Sequence, residues 1–96
     1  MKFIETNFNH KVNESSSWIV YITKTRDEAM SIHNMVLTQM EMHRCGAWYY
    51  HVSTKEIGKD CRVPSFFHDN NYWLTAIEHN NGDWNKEPTY KLFIVE

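Results

Sequence analysis

Glycine, proline and cysteine are scarce in this chain: three, two and two in 96 residues. A glycine-rich phosphate loop needs closely spaced glycines, so that backbone N–H groups can approach the phosphate unobstructed. Gly46, Gly58 and Gly82 lie far apart, so no such loop exists. Two cysteines do not make the framework of a disulfide-stapled secreted domain. No apolar run approaches the roughly 18 residues of a membrane-spanning helix, which argues against a membrane partner. The opening Met1-Lys2-Phe3-Ile4-Glu5-Thr6-Asn7-Phe8 puts Glu5 and Asn7 where a signal peptide keeps its apolar stretch. The expected location is therefore cytoplasmic, and the Asn13-Glu14-Ser15 sequon reads as chance.

Charge of one sign is also lacking. Ten Lys and Arg face twelve Asp and Glu, a net charge of −2, and neither sign is clustered. Phosphate backbones are bound by stripes of Lys and Arg, so nucleic acid is not an expected partner. At −2 an acidic nucleic-acid mimic is equally unsupported.

What is abundant is aromatic: 14 Phe, Tyr and Trp, four of them Trp. Each aromatic ring buries about 150–250 Å², so these residues dominate either the core or an interface. Codon bias is the other excess. Phe, Tyr, Met, Ile, Asn and Lys number 38 against 11 Gly, Ala, Arg and Pro, which suggests an AT-rich source genome.

The chain shows no repeat, low-complexity tract or linker, and residues 1–96 are read as one domain. Ile4, Thr6, Phe8, His10 and Val12 alternate as one strand face, and 13–17 reads as a turn. Trp18 to Ile22 is apolar on both faces, as a central strand is. A helix is predicted from about Arg26 to Arg44. Thr25 with Glu28 forms a capping box, Ala29, Ile32, Val36, Leu37 and Met40 form its apolar stripe, and Gly46 stops it. His33 falls within the stripe, and Met35 and Met42 share a flank outside it. Ala47 to Ser53 reads as a strand and Thr54 to Cys61 as a turn. A short turn near Phe66, then a hairpin of Tyr72–Ile77 with Tyr90–Val95 across Asn80-Asn81-Gly82-Asp83, completes the reading. The fold class is α+β: a mostly antiparallel sheet of four to five strands with one main helix, about 26–44, packed on one face. The alternative is a ferredoxin-like order in which Pro64 opens a second helix over 64–79.

For chemistry, His43, Cys45, Cys61 and His68 offer four zinc ligands, but without the paired spacing of a zinc ribbon. No metal or other cofactor is expected. A Cys45–Cys61 disulfide is disfavoured in a reducing compartment. His51-x-Ser53 is half of a paired phosphoesterase pattern whose second copy is missing. No nucleophile, base and orienting group stand out together, so an enzyme is not expected.

The aromatics suggest binding instead. Trp84 sits in a predicted loop, while Tyr72 and Trp73 point to opposite faces of one strand, more than one helix over one sheet can hide. Tyr and Trp suit binding hot spots, and exposed Met35 and Met42 suit an adaptable interface. The expected function is a small protein-interaction module that binds another protein or itself as a homodimer. Trp84, Trp73, Tyr72, Met35 and Met42 are its anchors. Size and codon bias fit an accessory protein of a phage or mobile element that inhibits a host or defence protein by steric occlusion. A second expectation is a small-ligand binder whose pocket is lined by His33, Tyr50 and His51; a third is a zinc-stabilised domain.

Overall fold

The computed structural model describes residues 1–8, 16–42, 50–80 and 89–96; the side chains of residues 40–42, 50 and 80 lie outside the description. Five strands form one sheet: β1 (Phe3–Thr6), β2 (Ser16–Thr23), β3 (Tyr50–Glu56), β4 (Trp73–Asn80) and β5 (Tyr90–Val95). Among the described residues one α-helix, α1 (Arg26–Met42), lies between β2 and β3 in the chain. The spatial order is β1-β5-β2-β4-β3. β1–β5, β2–β4 and β3–β4 pair antiparallel, whereas β2–β5 is parallel. The sheet is therefore mixed, and β2-α1-β3 is a split β-α-β unit with β4 inserted between its strands.

α1 begins where its capping residues predict. Thr25 Oγ1 accepts the Glu28 N–H at 3.2 Å and donates to Glu28 Oε1 at 2.9 Å. Asp27 and Glu28 occupy the first turn, where the helix dipole favours negative charge. Residues 43, 44 and 46, including the expected stop at Gly46, lie outside the described residues, as do His10 and Val12 of the first predicted strand.

Four expectations are corrected. The alternative second helix over 64–79 does not form: the favoured short turn near Phe66 is the 3-10 turn Ser65–Phe67, and β4 starts at Trp73. Asp69 and Asn71 have φ of 56° and 61°, a left-handed backbone that no α-helix accommodates. β4 and β5 are not a hairpin, because β2 lies between them. Apolar on both faces, β2 has both its edges paired inside the sheet, with β4 on one side and β5 on the other. Ser16 and Ser17 open β2 rather than belonging to the preceding turn, and Thr54 to Glu56 extend β3 rather than turning. β3 is an edge strand, where polar residues such as Lys55 and Glu56 are tolerated.

Most consequential is the fourth correction, to the premise of one helix over one sheet. Strand alternation places Val20, Ile22, Leu74, Ala76 and Leu92 on the face opposite α1, and all are buried. They are covered by the segment from Ile57 to Tyr72, which inserts Ile57, Val63 and Phe67 into the same core. Trp18, Tyr72 and Tyr90 pack around that core. This strap is a second layer without regular structure, and it holds much of the aromatic surface. On the other face α1 covers Thr23, Thr75 and Ile77 with Ala29 and Ile32. Among the described residues no helix is long and apolar enough to cross a membrane.

Candidate functional site

Three polar or aromatic constellations stand out, and each takes its shape from the strand register. The first fastens the strap. Asp60 Oδ1 accepts the Arg62 backbone N–H at 2.8 Å and Arg62 Nε at 3.0 Å, and Oδ2 accepts Arg62 Nη2 at 2.8 Å. Lys55 Nζ, reaching from β3, lies 2.9 Å from Oδ2. Burial alone would raise the Asp60 pKa, but these hydrogen bonds outweigh it and hold the carboxyl well below the usual carboxylate range. Arg62 in turn lies 4.8 Å over the Trp18 ring, a cation–π contact that ties strap to sheet. The Tyr90 hydroxyl donates to the Arg62 carbonyl, and burial pushes its pKa up to about 12. His68 Nε2 donates to the Asp60 carbonyl at 2.8 Å. Nearly every group here is occupied by another, so the cluster is a fastening.

The second constellation links α1 to the sheet. Thr75 Oγ1 donates to the Ala29 carbonyl at 2.9 Å, which uses its only proton. The 3.1 Å bond between Thr54 and Thr75 must then be donated by Thr54. Thr54 has no second proton, so His33 Nδ1, 2.9 Å away, is the donor in the remaining bond. Neutral His33 is therefore the Nδ1–H tautomer. A long-range proton–nitrogen correlation spectrum is expected to show Nδ1 protonated and Nε2 bare; an Nε2–H pattern would contradict the proton count.

The third constellation is open. Register puts Phe3 and Glu5 of β1, Lys91 and Phe93 of β5, and Ile19 and Tyr21 of β2 on the α1 side of the sheet. The backbone of α1 comes close to β2, β3 and β4 but not to β5 or β1; Val95 of β5, on this same face, is nonetheless buried, and exposure is concentrated toward the β1 edge. Phe93 stacks on Tyr21 with centroids 5.2 Å apart, and Phe3 meets Tyr21 edge-on at 5.6 Å. Phe3 is 42% exposed. At about 100° per residue, His33 lies on one side of Ala29, with Ile32 and Met35 on the other. Since His33 reaches Thr54 of β3, Met35 lies on the flank of α1 turned away from β3, where it is 43% exposed.

The expected anchors are dispersed. Trp84 and the Met42 side chain lie outside the described residues. Tyr72 packs on the strap-side core, edge-on to Phe67 at 5.1 Å. Trp73 sits half-buried on the α1 side, between Thr23 and Glu56 in register. Met35 is exposed on the flank of α1 turned away from β3. Of the expected pocket, His33 lies under α1 and exposed His51 on the opposite face, while the Tyr50 side chain is not described. A cavity of about 180 Å³ occurs elsewhere, lined by Ser17, Ile19, Ile77, His79 and Thr89. That is smaller than the roughly 300 Å³ at which ligand pockets begin. Of the zinc candidates, His43 and Cys45 lie outside the described residues, Cys61 is exposed and His68 is committed to Asp60. Among the described residues no three His, Cys, Asp or Glu converge.

Phe3, Tyr21 and Phe93 were not singled out from sequence, because they come from three strands whose adjacency no local pattern encodes. Compared with known proteins, the chain matches no family model, no curated protein and no solved structure. Its class is that of a small α+β fold built on a mixed five-stranded sheet.

Proposed function

We propose that the protein is a small binding module that acts by covering a surface of another protein. Its binding face is the half of the sheet that α1 leaves open, with Phe3, Tyr21 and Phe93 as the aromatic group and Met35 on the flank of α1 turned away from β3. The observation that carries this reading is the contrast between the body of the sheet and its β1 end. Strap and helix bury the core on both faces, while at this end of the sheet Tyr21 touches both Phe93 and Phe3, the first two half-buried and Phe3 exposed. Aromatic residues and Met are enriched where proteins bind, and Lys, Glu and Asp are depleted. Here Glu5 and Lys91 stand at the margin, as a polar rim does. The action is steric and requires no catalytic group, in keeping with inhibition by occlusion.

The test is Phe3→Ser combined with Met35→Ser. Both side chains are over 40% exposed, so the variant is expected to fold and melt close to the wild type. Recovery of the partner from source cells is expected to fall at least tenfold, the effect of losing one hot-spot residue. Undiminished recovery by a folded variant would remove this face from the interaction.

A further inference from the structure

The open aromatic half-face ends at β1, and β1 is a sheet edge among the described residues. Lys2 and Glu96 exchange both backbone bonds, at 2.7 and 2.8 Å. Antiparallel pairs alternate between bonded and non-bonded, so Ile4–Ile94 and Thr6–Leu92 are the next bonded pairs. The N–H and C=O groups of Phe3 and Glu5 therefore point outward, away from β5. The residues that present free backbone groups are thus the same two that carry side chains onto the open face. An added strand would satisfy the first and extend the second.

We propose that the occupant of this edge is β1 of a second copy, antiparallel about a two-fold axis at Ile4. The proposal rests on the binding-face reading above and names one partner for it. Outward groups must face outward groups, so Phe3 and Glu5 can meet only Phe3 or Glu5 of the second chain. Glu5 on Glu5 opposes two carboxylates and is disfavoured. The register centred on Ile4 sets each Phe3 against the other chain's Glu5, closes four backbone bonds and apposes no like charges. It also brings the two Ile4 side chains together as a non-bonded pair, the close kind. Pairing β1 with the β3 edge of another copy would propagate without closing, whereas β1 on β1 closes as a dimer. A strand of four residues covers less than the roughly 800 Å² per partner of a stable interface, so the dimer exchanges rapidly and depends on concentration.

Sedimentation over a wide concentration range tests this. The wild-type mass is expected to rise toward twice the monomer. Glu5→Pro removes an outward N–H while sparing the bonds to β5, and is expected to remain monomeric throughout. Glu56→Pro, placed at the other sheet edge, is expected to dimerise like the wild type. Independently of Pro effects, Ile4→Cys in a Cys45→Ser/Cys61→Ser background is expected to crosslink to dimer under mild oxidation, and Thr6→Cys is not. A wild type that stays monomeric, a dimer that survives Glu5→Pro, or crosslinking at Thr6 instead of Ile4 would overturn the pairing. If the wild type is monomeric but Phe3→Ser/Met35→Ser still loses its partner, a foreign protein occupies the face and only the self-pairing falls. If the chain dimerises while that variant keeps its partner, the foreign-partner reading falls and the pairing stands.

Discussion

Asp60→Ala is expected to destabilise the protein by about 3 kcal/mol, because it strands Arg62 half-buried without its counter-charge. For a domain this small that corresponds to a melting temperature lower by on the order of 15 °C. The Asp60 side chain is only 7% exposed, so water does little to compensate. The change also removes the acceptor of the Lys55 contact and of the Arg62 backbone N–H. The dependence on pH has a definite sign. The folded carboxyl titrates below its unfolded counterpart, so its contribution is fully present above the ordinary carboxylate pKa of about 4 and is lost as pH falls below it. Wild type and Asp60→Asn should therefore differ most near neutral pH and converge in acid. Tyr90 gives the alkaline counterpart. Its raised pKa means that its contribution is lost only as pH climbs from about 10 through about 12. Chemical denaturation at a series of pH values measures both arms.

Phe67→Ala is expected to cost about 3–4 kcal/mol, as removal of a buried ring generally does. Phe66→Ala, one residue earlier, is expected to change stability by less than about 1 kcal/mol. The two side chains touch, with centroids 5.1 Å apart, but Phe67 is buried with Val63 and Leu74 while Phe66 is 73% exposed. The 3-10 turn at Ser65–Phe67 directs one ring inward and leaves the other outside. Equal effects of the two substitutions in thermal melts would mean that the strap is a surface loop and not a second layer.

This strap is where the sequence was least legible. Ile57, Val63 and Phe67 are six and four residues apart, and the positions between them that a strand face would fill, Lys59, Cys61 and Ser65, include two polar residues, so no alternating run is visible. A layer built from irregular backbone leaves no periodic trace, so the segment around Thr54–Cys61 read as a polar turn. Without the strap, the aromatics looked too numerous for the core. Trp18, Tyr72 and Tyr90 prove to be packed around it. α1 was legible because its signals are local: the Thr25 cap, the Glu28 reply and the Ala29–Ile32 face lie within one helix. β2 was legible as a central strand for the same reason. Strand order was not, since β5 pairs with β2 across some seventy residues of chain and in parallel. Expecting a hairpin at Asn80-Asn81-Gly82-Asp83 followed from a sound turn signal, but a turn signal does not specify the neighbouring strand. The candidate face shares this limit, because only β1, β5 and β2 together bring Phe3, Phe93 and Tyr21 into contact. Met35 was visible as an apolar residue off the helix stripe, and among the described residues it is the expected anchor that the helix leaves exposed.

Photocrosslinking from inside the source cell tests the binding-face reading most directly. A photoreactive phenylalanine analogue is placed at Phe3 in one experiment and at Phe66 in another. Both positions are exposed, and Phe66 is the more exposed at 73%. If the open half-face is the binding surface, a protein adduct forms from Phe3 and not from Phe66. Adducts from Phe66 alone, or equally from both, would show that binding follows exposure or the strap, and would contradict the account.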